Sequence, residues 1–227
     1  MLPGDRDKLA IEGPRLRSRI ASGRWLMLLC TVFMQFALSA AMASSVRAVA
    51  LDEMLAAAEL IFEGRVIGEQ TRRGMHKRDI YTEVTFEVID VVKGYYPGEI
   101  IVLEFSGGTL GGETVIVTDL NRPSLGQRGI YFVESLHRRQ VHPLYGWDQG
   151  LLLIEADLKR GEDRLKTHDR QGIYGVTVQQ NLEHEGTGLS NGTAMGLRLR
   201  RSAEGERPMT PENFKDTLRS ILQGMNQ

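Results

Sequence analysis

Scattered histidines, two closely spaced glycine pairs and an aromatic turn are the features of this sequence that invite a chemical reading. His76, His137, His142, His168 and His184 each fall in a segment expected to be loop. His137 and His142 lie five residues apart around an expected turn. With Asp148 they form a candidate metal set, since zinc is held by three or four nitrogen, oxygen or sulfur ligands. The plainer reading of the same residues is a solvated hairpin tip. His184 opens "HEGTG", which lacks the second histidine of an H-E-x-x-H metalloprotease helix. No G-x-S-x-G occurs, and Ser106 precedes a glycine pair without a legible His–Asp partner. Asp119 with Glu134 is an acid/base pairing of the kind any chain of this size offers.

The glycine pairs lie in "EFSGGTLGGETVIV", Glu104 to Val117. Gly107 and Gly112 have the spacing of a P-loop, but Glu113 stands where that motif needs lysine, and a carboxylate there repels phosphate. A dinucleotide fingerprint requires a helix next, whereas "ETVIVTD" alternates like a strand. A turn or bulge, where glycine permits positive φ, is the expected role. The surplus of glycine over a single turn leaves Gly107, Gly108, Gly111 and Gly112 as candidates for close approach by a ligand or partner. Tyr145 and Trp147, in "YGWDQG", are candidates for sugar or peptide binding if exposed, and a core lid otherwise. The basic runs "RRGMHKR" (72–78) and "RLRR…R" (Arg198, Arg200, Arg201, Arg207) read as solvated loop charge, with anionic envelope polymers or a membrane surface as the functional alternative.

The elements that would position these residues are mostly strands. "LDEMLAAAELIF" begins as a short helix with Leu51, Met54, Leu55 and Ala58 on one face, then runs into a first strand over Leu60–Val66. "TRRGMHKRD" reads as a hairpin loop. In "YTEVTFEVIDVVKG", Tyr81, Glu83, Thr85 and Glu87 alternate with Thr82, Val84, Phe86 and Val88, the period-two pattern of an antiparallel strand with one wet face. "EIIVLEF", "ETVIVTD", "IYFVES" and Leu151–Glu155 follow as further strands with turn signals between them. The fold class expected is mainly β, a small OB-like antiparallel barrel or sandwich with a short N-terminal helix and a C-terminal amphipathic helix. That last helix is signalled by Thr210 as N-cap, Pro211 at the first position, and a stripe of Phe214, Leu218, Ile221 and Leu222.

At the N-terminus, basic "RLRSRIASGRW" precedes the uncharged run Leu26–Ala43, which ends in small residues. This is the layout of a signal peptide over 1–48, with cleavage after Ala43 or Ala48; an uncleaved anchor is the alternative. Cys30, the only cysteine, lies inside that run, so the mature chain has no disulfide, no thiol chemistry and no cysteine-bound zinc. Residues 1–48 hold 7 of the 28 Lys and Arg and 3 of the 29 Asp and Glu, leaving 21 basic against 26 acidic residues, a net of −5. That balance argues against nucleic acid as partner. The expected domains are an OB-like body over 49–160, an irregular extension with a mobile loop over 161–209, and the helix over 210–227.

Four pieces of the chain together resemble a group of exported bacterial proteins of unknown molecular function: Gly64-Arg65-Val66, Thr82 to Gly94, Gly107 to Gly112, and Gly126 to Phe132. Their order is also similar to the OB-type barrel of netrin-like and tissue-inhibitor-of-metalloproteinase domains. Those inhibitors bind zinc through an N-terminal cysteine within a disulfide framework. The mature chain has no cysteine, so that mechanism is not implied. The resemblance covers about residues 51–155.

The function expected is that of an exported, non-enzymatic binding module, periplasmic or secreted, without a cofactor. Its partner would be a protein or envelope polymer, and a membrane only if the N-terminal segment stays uncleaved. The alternatives are an exported metal-dependent hydrolase using His137, His142 and Asp148, and a protease-inhibitor-like protein.

Overall fold

The computed structural model describes residues 46–76, 79–157, 160–177 and 190–225. The expected signal peptide, all but its last three residues, and the stretch holding His184 lie outside these residues. Helix α1 (Leu51–Ala57) leads into β1 (Leu60–Arg73), β2 (Ile80–Lys93) and β3 (Ile100–Ser106). A small hairpin, β4 (Gly108–Leu110) and β5 (Glu113–Val115), precedes β6 (Arg128–Val133), β7 (Leu151–Asp157) and β8 (Glu162–Lys166). Two short strands, β9 (Gly175–Val176) and β10 (Leu197–Arg198), and helix α2 (Pro211–Met225) complete the chain. The main sheet is antiparallel in the order β3-β2-β1-β6-β7-β8. β3 and β8 are its edges and do not pair with each other, so the strands do not close into a barrel. Among the described residues no helix is long and apolar enough to cross a membrane.

Alternation along the strands sorts the side chains onto two faces. On one face Ile61, Ile130, Phe132, Leu152, Ile154 and Leu165 pack against Met54 and Leu55 of α1 and Phe214 and Leu218 of α2. On the other, Phe62, Phe86, Leu103, Phe105, Tyr131 and Leu153 form a second core. There the rings of Phe62 and Tyr131 stack at 5.3 Å and Phe86 stands edge-on to Tyr131 at 4.7 Å. Truncating a buried aromatic of this kind costs about 3–5 kcal/mol. Register shifts at three points of β1 mark bulges, which bend and coil the long β1–β2 hairpin.

Ion pairing fixes the helices to the sheet. Glu63, fully buried on β1, accepts from Arg128 at 2.5 Å and from Lys215 of α2 at 2.6 Å. Lys215 also meets Asp90 at 2.8 Å, and Asp90 in turn takes Arg219 at 2.8 Å. Lys93 ends β2 by donating to the carbonyls of Leu55, Ala56 and Ala58, the orphan acceptors at the end of α1.

The structure departs from the sequence reading at four places. Thr71–Arg73 belong to β1, paired with Ile80–Thr82, rather than to a loop. "ETVIVTD" keeps strand form only to Val115, and Ile116 beyond it is 83% exposed. β8 lies past residue 160, in the segment expected to be irregular, and extends the sheet. The described part of the expected mobile loop is pinned: Leu51 N–H donates to Met195 O at 2.9 Å, Ala194 is buried, and Arg198 holds Glu206 at 2.6 Å. That pairing, with the Ser202 N–H, pulls the Glu206 carboxyl down to about 2.

Candidate binding surfaces

Each glycine of the 107–112 segment has a conformational task. Gly107 and Gly108, at φ +93° and +139°, turn the chain out of β3 and across the β1–β2 hairpin. A Cβ on Gly108 would stand 2.6 Å from Thr82 Oγ1 and 2.8 Å from Thr71 Cγ2. Thr82 Oγ1 donates to Gly107 O at 2.9 Å and locks this crossing. Gly111 and Gly112, at φ +60° and +83°, form the two-residue turn between Leu110 and Glu113, the doubly positive conformation of a type I′ hairpin. The surplus over one turn is therefore a second structural element. Of the four, Gly108 lines a polar cleft of about 370 Å³ with Thr109, Thr114 and Asn121.

The proposed metal residues do not assemble. His142 is buried, with Nδ1 accepting from Leu144 N–H at 3.1 Å, so Nε2 carries the proton and donates to Asn121 O at 3.2 Å. Its ring stacks on Trp147 at 5.5 Å and meets Phe105 edge-on at 5.0 Å. Burial holds it neutral and lowers its pKa to about 4. His137 instead stands in solvent, 3.2 Å from Glu59. Asp148 accepts from Asn121 Nδ2 at 2.6 Å and lies 3.4 Å from His168 Nε2. Burial raises its carboxyl above the usual range against the pull of both neighbours. Among the described residues no three His, Cys, Asp or Glu side chains are grouped to hold a metal. Tyr145 is part of the helix-side packing and donates to Glu53 at 2.9 Å, while Trp147 is half-buried.

The basic runs are largely paired. Arg72 bonds Glu83 and Arg73 bonds Glu113, whereas Lys77 and Arg78 lie outside the described residues. Arg201 donates to Tyr174 Oη at 3.0 Å, and Arg207 stands 3.5 Å from Glu162.

An open strand edge is the surface that sequence reasoning missed. Val88 N–H donates to Glu99 O and Gly107 N–H to Ile80 O, which fixes the phase of the β2–β3 ladder at both ends. Ile101, Leu103 and Phe105 thus turn their backbone groups toward β2, and Ile100, Val102, Glu104 and Ser106 turn theirs outward. Of these outward donors, Ser106 N–H reaches Val141 O at 3.0 Å. The Ile100 and Val102 side chains are 54% and 50% exposed. Beside this edge runs a groove of about 270 Å³, walled opposite by Ser135–Gln140 and Pro143. Gln140 Oε1 is buried in it without a hydrogen-bond partner. The signal was present in "EIIVLEF", whose apolar residues fall on both faces of a strand that a one-sided antiparallel sheet would alternate.

Comparison with protein-family models, with curated proteins and with solved structures found no match.

Proposed function

We propose that the chain is an exported, non-enzymatic binding module on an OB-like, partly open barrel, and that it captures an extended segment of a partner protein at the free edge of β3. The observation that carries this reading is the outward-facing backbone of Val102 and Glu104, with the Ile100 N–H, beside two exposed apolar side chains; the Ile100 carbonyl already accepts from Tyr96 Oη at 2.6 Å. Native sheets blunt such edges with charge, proline or a covering loop, because an open edge templates pairing with another chain. Here the charge on the edge is Glu104, which is held by Arg139 at 3.1 Å. Strand addition satisfies the outward groups, and pockets for alternate side chains give it specificity. Gln140 Oε1 offers an added acceptor within the groove.

Five strands, β1, β2, β3, β6 and β7, share the second core, which supports the OB-like description of a partly open five-stranded barrel. His142 is spent on structural bonds to Leu144 and Asn121, and this favours binding over catalysis there. The resemblance to exported bacterial proteins and the basic-then-apolar N-terminus support the location.

A library of extended octapeptides selected on the purified protein tests the reading. Selected peptides should protect the Ile100, Val102 and Glu104 amides from hydrogen exchange, and N-methylation at alternate peptide positions should abolish binding. Val102→Pro should also abolish it while leaving the fold intact, because that N–H faces away from β2. Binding indifferent to both changes, or no selected peptide, rejects the edge as the binding surface.

A further inference from the structure

We infer that the cleft where β1, β6 and β7 meet the turns at Ser124–Gln127 and Arg170 binds a phosphate ester, held by Arg65, Arg128 and Arg170. The cleft is open, about 490 Å³, and its charged lining is these three guanidinium groups with Glu155 and Asp163. It uses none of the residues of the β3 edge and does not depend on that reading.

Three features of this cleft bear on a ligand. First, Arg65 and Arg128 stand directly opposite each other in the β1–β6 ladder, and like charges in that position are destabilising. Arg128 has structural work, bonding buried Glu63 and Asp163 at 2.5 Å each. Arg65 is exposed and, among the described residues, has no hydrogen bond or ion pair, although Glu87 faces it on β2. Second, Arg170 holds φ +66°, a conformation L side chains rarely adopt, in a turn closed by its N–H to Thr167 O at 2.9 Å. Strain of this kind at an exposed charged residue points to a positioned side chain. Third, both carboxylates in the cleft already have a cation: Asp163 has Arg128, and Glu155 has Lys166 at 2.6 Å, with Arg170 a more distant 3.4 Å. Arg65 is therefore surplus positive charge facing a cavity, and Arg170 is held at its rim only by the 3.4 Å approach to Glu155.

The arrangement selects the ligand's shape. Guanidinium groups arrive from three separate elements, β1, β6 and the turn after β8. A tetrahedral phosphate with several terminal oxygens suits three such donors better than a planar carboxylate does. Ser124 adds a hydroxyl to the polar rim, and Leu125 and Leu153 supply apolar surface for the organic part of an ester.

Calorimetry at low salt with inorganic phosphate, glycerol 1-phosphate and phosphatidylglycerol vesicles tests this, with phosphatidylcholine vesicles as the blank. Binding of glycerol 1-phosphate assigns the cleft to a small phosphate ester, and binding to the anionic vesicles alone assigns it to a lipid headgroup. In either case Arg65→Gln and Arg170→Gln should each weaken binding by about tenfold or more, the loss of one charge-assisted hydrogen bond. Both variants should melt with the parent protein, because neither side chain holds the interior. The inference is overturned if glycerol 1-phosphate and the anionic vesicles both fail to bind at millimolar concentration, or if the double variant binds as the parent does.

Discussion

Replacing Lys215 with methionine removes an ammonium group sunk between the C-terminal helix and the sheet. Lys215 is 7% exposed, with Nζ 2.6 Å from Glu63 Oε2 and 2.8 Å from Asp90 Oδ2. After the change Asp90 keeps Arg219, but Glu63 keeps only Arg128 and has a bare oxygen in the core. Removing one partner of a buried pair costs about 3–5 kcal/mol. Arg128 still neutralises Glu63, and methionine fills the volume of the lysine stem, so the lower end, about 3 kcal/mol, is expected. For a domain of this size each kcal/mol moves Tm by about 2–4 °C, which gives a fall of about 6–12 °C. Glu63→Gln combined with Lys215→Met removes the stranded charge and should recover at least half of the loss. Urea unfolding of the parent, both single variants and the double variant supplies the coupling energy. A single-variant cost below about 1 kcal/mol, or strict additivity, would refute the claim that this pair is buried and coupled. Acid titration gives a second check. Burial pushes the Asp90 carboxyl up, but bonds from Lys215 and Arg219 outweigh it and hold the group below its ordinary 3.8. Its contribution is therefore complete above that pH and is lost as pH falls through the lowered value. In the Lys215→Met protein that acid-sensitive part should shrink.

Other expectations follow from local geometry. Because burial lowers the His142 pKa from 6.5 to about 4, the unfolded chain takes up a proton in that window while the native chain resists it. Stability should decline as pH falls from 6.5 toward 4, by up to about 3 kcal/mol, and His142→Phe should flatten that segment of a urea-midpoint profile. Gly108→Ala should lower stability by about 2 kcal/mol or more, since its Cβ meets Thr82 and Thr71 at a positive φ. Gly111→Asn, with open space around it and a turn that accepts asparagine, should change it by less than about 0.5 kcal/mol; thermal melts compare the two directly.

What could be read from the sequence was local and periodic. β2 shows its alternation plainly, and Asn213 N–H donates to Thr210 Oγ1 at 3.3 Å, where the helix cap was expected. β8 escaped because "EDRLK" buries only Leu165 fully, while Lys166 is matched to Glu155 across the ladder rather than to a core. His137 and His142 look equivalent in sequence, yet one is solvated and the other is stacked on Trp147, a distinction made by tertiary contacts alone. The Glu63–Lys215 pair spans 152 residues, and nothing local announces it.

This division bears on where function can reside. Among the residues of the segments 64–66, 82–94, 107–112 and 126–132, most have identifiable architectural duties. Lys93 caps α1, Val66 and Phe132 are buried, and the glycines from 107 to 112 build a crossing and a turn. Such residues specify a fold and predict loss of stability when changed, not loss of a ligand. Arg65 belongs to the same set but has no partner among the described residues, and Ile100 and Val102 spend apolar side chains on solvent. A side chain that the fold does not use, and whose placement carries a cost, is the stronger guide to what the molecule binds. On that ground Arg65→Gln and Val102→Pro should separate binding from stability, as no change at Lys93 or Arg128 can.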